Sequence, residues 1–255
     1  MDKFKIIQLK QPRFAKDAAY GIIFYIGRYN IMSKQLSTFK SLEGISNLYI
    51  AHKASLRCTA VLLADNSLCL FSPVYGLGEV ALNSLKQIGP VKFLLAPNHY
   101  HNKGLKEYVN AFPDATLCCS DAARPRLEKV SGLKLESLDV LSGHFKPHIQ
   151  RLEPDGLKTG EVWLRISEKD KTGWLLVDAF CGAQGPKSPV YSSTPDLLKT
   201  FPNFGVRDKQ AYSDWAMAQI KLDQPELLIP CHGSVVNAHD LPEQLLKLLT
   251  DHFPI

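Results

Sequence analysis

A chain of 255 residues, 45% hydrophobic and 22% charged, buries a large core, which excludes a disordered, collagenous or coiled-coil protein. The net charge of +5 is uneven: residues 1–40 hold eight basic and two acidic side chains, a net +6 that leaves −1 for the remainder. A charge confined to one end argues against nucleic acid as a partner of the whole chain. Six cysteines are too sparse for a disulfide scaffold, show no zinc-ribbon pairing, and fit reduced thiols in a cytoplasmic compartment.

The longest apolar run, residues 18–26, falls far short of the roughly 20 residues of a membrane span. The basic residues before it are followed by Gly27-Arg28-Tyr29-Asn30, with no small-x-small cleavage site for secretion. Residues 1–40 therefore read as a basic N-terminal extension, either packed on the rest or serving membrane-surface contact or organelle targeting. A single domain is expected over residues 41–255.

Residues 48–50, 58–63 and 68–71 read as strands, the last two joined across Ala64-Asp65-Asn66-Ser67, whose Asp and Asn suit a tight turn. Residues 78–88 carry Val80, Leu85 and Ile88 at helical spacing and stop at Gly89-Pro90. An apolar strand, 91–96, precedes a helix with Leu105, Tyr108, Val109 and Phe112 on one face. A short strand (115–119), a helix (121–130) and a hairpin follow, the hairpin joining 162–167 to 173–177 across Glu168-Lys169-Asp170-Lys171-Thr172. The helix over 208–222 turns Tyr212, Trp215, Ala216 and Ile220 inward, and residues 227–229 form a last strand. Asp240 and Glu243 form a capping box for a helix that buries Leu241, Leu245, Leu248 and Leu249. Hairpins early and late with interleaved helices give an α/β class, with two mixed sheets and helices outside.

Three apolar strands run into side chains able to bind metal: 91–96 into Asn98-His99-Tyr100-His101, 174–177 into Asp178, and 227–229 into Cys231-His232-Gly233. Strand ends are where a sheet fixes the backbone while the following loop opens to solvent. In extended chain, residues two apart point the same way, so His99 and His101 would offer two imidazoles to one ion. Cys181 and Cys231 are the thiols nearest these ends, and either stands as a ligand, a nucleophile or an inert buried Cys.

Over residues 45–250 the chain resembles the metallo-β-lactamase fold superfamily. The resemblance lies in motif order: an early hairpin meander, a strand running into His99-Tyr100-His101 and a helix, a strand ending in Asp178, and a strand ending in His232-Gly233. It implies an αββα sandwich and a metal-dependent hydrolase of esters, thioesters, lactams or phosphodiesters with one or two Zn, Fe or Mn ions. The full signature His-x-His-x-Asp-His is degenerate, since Lys103 stands at the acid and Gly104 at the third His. The usual Gly-His-Thr segment has its counterpart in Gly156-Leu157-Lys158-Thr159, and the early acidic turn in Phe71-Ser72-Pro73.

His99, His101, Asp178 and His232 remain as ligands for one divalent ion at most, zinc before iron or manganese. Asp178 and His232 double as groups that orient water or carry its proton. The Lys103 ammonium either pairs with Asp178, steadies a developing oxyanion, or faces water. The expected function is hydrolysis of a small ester, thioester or phosphoester; the alternative is a metal-free binding protein on the same fold. The 13 residues 182–194, rich in Gly, Pro and Ser, are a candidate lid over the cleft. Nothing in the sequence fixes the oligomeric state.

Overall fold

A computed structural model describes residues 35–169, 171–185, 188 and 190–253, within the unit Met32–Ile255. The expectations for the basic extension lie, up to residue 34, outside the described residues. Leu36 and Phe39 are buried in the core.

The first sheet has seven strands in sequence order: β1 (Lys40–Ser41), β2 (Leu48–Lys53), β3 (Leu56–Leu62), β4 (Leu68–Phe71), β5 (Val91–Leu95), β6 (Thr116–Cys119) and β7 (Glu136–Ser137). β1 to β4 are an antiparallel meander, whereas β4 to β7 are parallel. Parallel neighbours need a crossover, and the helices α1 (Glu79–Ile88), α2 (Leu105–Ala111) and α3 (Arg124–Ser131) supply it. The second half contributes β8 (Ile149–Leu152), β9 (Trp163–Glu168), β10 (Lys171–Leu176), β11 (Phe180–Cys181), β12 (Tyr191–Ser192) and β13 (Asp196–Leu197). It continues with α4 (Phe201–Phe204), α5 (Lys209–Asp223), β14 (Leu227–Pro230), β15 (Val235–Asn237) and α6 (Leu241–His252). The second sheet runs β12-β15-β14-β10-β9-β8, and β11 pairs with β13 as a separate ribbon.

Side-chain alternation separates two cores. Leu164, Ile166, Leu175, Val177, Leu227 and Ile229 join the core shared with the first sheet, while Trp163, Trp174, Leu176 and Leu228 face Tyr212, Ile220, Leu245 and Leu249 of α5 and α6. Period-two strands with both faces covered read as near-continuous apolar runs, as these do. The expected αββα layering is the observed one.

Local expectations needed three corrections. In α1 the buried face is Ala81, Ser84 and Leu85, and Val80 is 55% exposed. The β9–β10 hairpin closes tighter than read: Glu168 pairs with Lys171, and Lys169 at φ 55 makes the turn. The capping box of α6 does not form. Asp240 has φ −94 and ψ 19 and caps no backbone N–H; instead its Oδ1 accepts from Gln244 Nε2 at 2.8 Å. An N-cap side chain reaches the first-turn amides from extended backbone, which Asp240 lacks.

One buried carboxylate ties α5 to the second sheet. Asp223 accepts from Arg165 Nε at 2.6 Å, Trp174 Nε1 at 2.8 Å and Gln219 Nε2 at 2.7 Å, and its side chain is 1% exposed. Asp223→Ala leaves the Trp174 indole N–H without its acceptor, and urea unfolding is expected to show a loss of about 3 kcal/mol.

Candidate metal centre

Sheet register builds the centre. β10 and β14 are parallel with Leu176 opposite Pro230, so two residues further on Asp178 and His232 emerge side by side. His232 Nε2 lies 3.1 Å from Asp178 Oδ1. β4 and β5 are parallel with Phe71 opposite Leu95, which brings Ser72 beside the loop after β5. There Ser72 Oγ shares a hydrogen bond of 2.8 Å with His101 Nδ1. The same ring's Nε2 is 3.0 Å from Asp178 Oδ1.

Asn98 shapes that loop. Wholly buried, it donates from Nδ2 to Asp178 Oδ2 at 2.7 Å and accepts at Oδ1 from the amides of Tyr100 and His101, at 2.8 and 3.2 Å. Residues 98–101 are consequently a turn, closed also by His101 N donating to Asn98 O. This corrects the premise of extended chain. His101 enters the cluster, whereas the ring of His99 lies 4.3 Å from that of Tyr100 with Nε2 buried and unpaired. Burial, and then Arg126, lowers the pKa of His99.

Cys231, which sequence reading held open, belongs to the cluster. Its Sγ, with nitrogens of His101 and His232, forms a set of donor atoms within 4.8 Å of one another. Burial alone would raise this thiol; the two imidazoles and the Ser72 hydroxyl bring it down to about 7. Burial likewise opposes charge on Asp178, yet His101 and His232 hold its carboxyl far below the usual range. Against the pull of burial, Asp178 raises both imidazoles above the ordinary histidine value. Cys181 lies apart from the cluster, and burial pushes its thiol up to about 11.

Glu161 is a buried acceptor behind the cluster that sequence reading missed. Only 2% exposed, its Oε1 accepts from Trp163 Nε1 at 3.0 Å and from the amides of Val177, Asp178 and Ala179 at 3.3, 3.1 and 3.3 Å. It pins the backbone that carries Asp178. Burial and the Asp178 charge raise it to about 7. No local signal marks this role, because the three amides it holds lie 16 to 18 residues away.

His101, Asp178, Cys231 and His232 line a cavity of about 590 Å³ together with Leu56, Val74, Tyr75, Tyr100, Leu198 and Phe204 among others. Lys103 also lines it; of the three readings left open for it, pairing with Asp178 is not found among the described residues, since that carboxylate is taken by His101, His232 and Asn98. Gly104 has no room for a side chain: a Cβ there would stand 2.3 Å from Pro73 O. Leu157 is packed in the core beneath α5 and α6. The 182–194 stretch does not border this cavity among the described residues. Its Ala183, Gly185, Ser188 and Val190 line a smaller one of about 170 Å³ with His52 and Arg57.

The donors present fit a metal ion. Two imidazoles and a thiol are a zinc-type set, and the Asp178 carboxylate adjoins it, its Oδ1 bonded to the two imidazole nitrogens at 3.0 and 3.1 Å.

No protein-family model matches the chain, and no curated protein matches it. Solved structures do. A DIM-1 metallo-β-lactamase exposed to ceftazidime superposes with a TM-score of 0.57 at 10% identity, over 85% of this chain and 99% of that one. The chain has the metallo-β-lactamase fold. A second DIM-1 structure gives 0.56 at 9% identity, over 85% and 99% of the two chains. A metallo-β-lactamase from Pontibacter korlensis gives 0.50 at 13% identity, over 86% and 96%. On this metallo-β-lactamase fold the likeness is one of backbone path.

A lace of bonds fixes the third strand end. The guanidinium of Arg57, 1% exposed, donates to Pro230 O and, at 2.8 Å, to Gly233 O. Arg57 N donates to Cys231 O at 2.8 Å, and Cys231 Sγ donates to Arg57 O at 3.1 Å. Across the β2–β3 pair, His52 stands opposite Arg57. Burial and the Arg57 charge together lower His52 to about 4. Unfolded, this histidine takes a proton below about 6.5 that the fold refuses. Its contribution is thus complete above about pH 6.5 and lost as pH falls towards 4. Urea unfolding of His52→Gln across pH 7.5 to 4.5 is expected to show a shallower decline than the parent. Allowing for the partial exposure of the ring, the difference is about 2 kcal/mol.

Proposed function

We propose that the protein is a metal-dependent hydrolase of a small ester, thioester or phosphoester, with one divalent ion held by His101, His232, Asp178 and Cys231. The observation that carries this reading is a donor set of His101, His232 and Cys231 lining one cavity, with Asp178 Oδ1 bonded to both imidazoles. Thiol and imidazole together favour zinc over iron or manganese. Such an ion supplies Lewis acidity, polarising the scissile group and making water nucleophilic near neutral pH.

The chain's own groups do the positioning. Ser72 Oγ can donate to or accept from His101 Nδ1, so it suits either tautomer and keeps Nε2 directed at the cluster. Asn98 occupies Asp178 Oδ2, leaving Oδ1 as the oxygen that faces the two imidazoles. His232, on the cavity wall and bonded to Asp178, is placed to carry a proton between the carboxylate and the chamber. Two packed positions support a mononuclear centre: Gly104 has no space for a side chain, and Leu157 belongs to the core.

Metal analysis of protein purified without added metal is the test. About one equivalent of zinc per chain is expected, lost in His101→Ala and in Asp178→Ala and kept in His99→Ala. Hydrolysis of a panel of nitrophenyl esters, thioesters and phosphoesters should fall with chelator and return with zinc. A metal-free parent whose variants fold normally would instead favour the binding protein.

A further inference from the structure

The cavity above the cluster has a composition of its own. Seven large hydrophobic side chains are exposed among the described residues, and three of them, Tyr75, Tyr100 and Phe204, border this one cavity at 39, 38 and 56% exposure. Apolar surface gathered at one opening marks a place that something covers.

Two cations stand at the same opening, Lys103 and Arg126, both exposed. Neither joins an ion pair among the described residues. Neighbouring Arg124, by contrast, is matched by Asp121 at 2.5 Å. Arg126 sits 4.9 Å over the Tyr100 ring, in the first turn of α3, which holds no acidic residue. A helix disfavours a cation at that end, and the ring of Tyr100, itself on the cavity wall, is the partner this charge has. The one carboxylate lining the cavity, Asp178, is already bonded to two imidazoles and the Asn98 amide. Because residues beyond 40 sum to −1, the positive opening is a local concentration, not general basicity.

We propose that the cavity binds a small organic anion, whose apolar body lies among Tyr75, Tyr100 and Phe204 and whose carboxylate or phosphate meets Lys103 and Arg126. Resting on the hydrolase reading, this makes the substrate an anionic ester or thioester.

Binding, not turnover, tests it. The full chain as purified is titrated at low salt with 2-naphthoate, 2-naphthyl phosphate and neutral 2-naphthamide, followed by naphthalene fluorescence. At least one anion should bind about tenfold tighter than the amide, with the advantage shrinking in salt; which anion gains more separates carboxylate from phosphate. In Lys103→Gln/Arg126→Gln the advantage should drop to within about twofold while the amide constant holds, and Arg126→Glu alone should lower it. Phe204→Ser should weaken all three ligands. His101→Ala should keep the charge preference, so a protein that hydrolyses nothing can still pass. Equal binding of amide and anions by the parent overturns the proposal, as does an advantage that survives the double substitution, which would place the anion at the metal centre.

Discussion

A carboxylate buried just past a strand end has to be compensated where it stands, and the site takes its form from that requirement at Asp178. The residue is 9% exposed, and an uncompensated charge at that depth costs several kcal/mol. Two imidazoles and one amide meet it. The amide belongs to Asn98, itself wholly buried, so its oxygen must be satisfied as well. The chain does this by folding 98–101 into a turn over Asn98 Oδ1. That turn decides which histidine of the pair reaches the cluster: His101 turns in and His99 does not.

The second constraint is that the three strand ends come from different sheets and must not drift. β5 belongs to the first sheet and β10 and β14 to the second. Arg57, on β3 of the first sheet, bonds the end of β14 directly. Its backbone pairs with Cys231 and its guanidinium takes the carbonyls on either side, Pro230 and Gly233. Leu56 makes an antiparallel bridge to His232. Burial lowers Arg57 only to about 10, so the clamp remains charged at neutral pH and its interaction with the carbonyl dipoles persists.

Features set by local spacing were legible in the sequence. Strands β2 to β6, β9, β10 and β14, the α2 and α5 helices and the placing of Asp178 and His232 at strand ends follow from period and punctuation, which a few residues determine, whereas β1, β7, β8, β12 and β15 went unread. Features set by contacts across the chain were not. Asn98 meets Asp178 across 80 positions and Ser72 meets His101 across 29, so the turn that displaces His99 has no signature near His99. Glu161 reads in isolation as a surface acid before a strand, and becomes a structural acceptor only once β10 lies beside it. The buried face of α1 was misread because small Ala81 and Ser84, not bulky Val80, fit where the helix meets the sheet.

The same distinction bears on the degenerate signature. Read as letters, Gly104 and Leu157 are two independent losses that single substitutions would repair. In three dimensions both places are filled: Pro73 and Tyr75 backbone atoms stand within 2.9 Å of any Cβ at 104, and Leu157 forms an isolated bridge with Val206 and packs in the core. A histidine at 104 would have to drive back the 72–75 loop, and with it the Ser72 hydroxyl that holds His101. On the proposed reading, restoring a second set of donors would therefore disturb the first, and a one-ion centre is built into the packing rather than left over from lost residues.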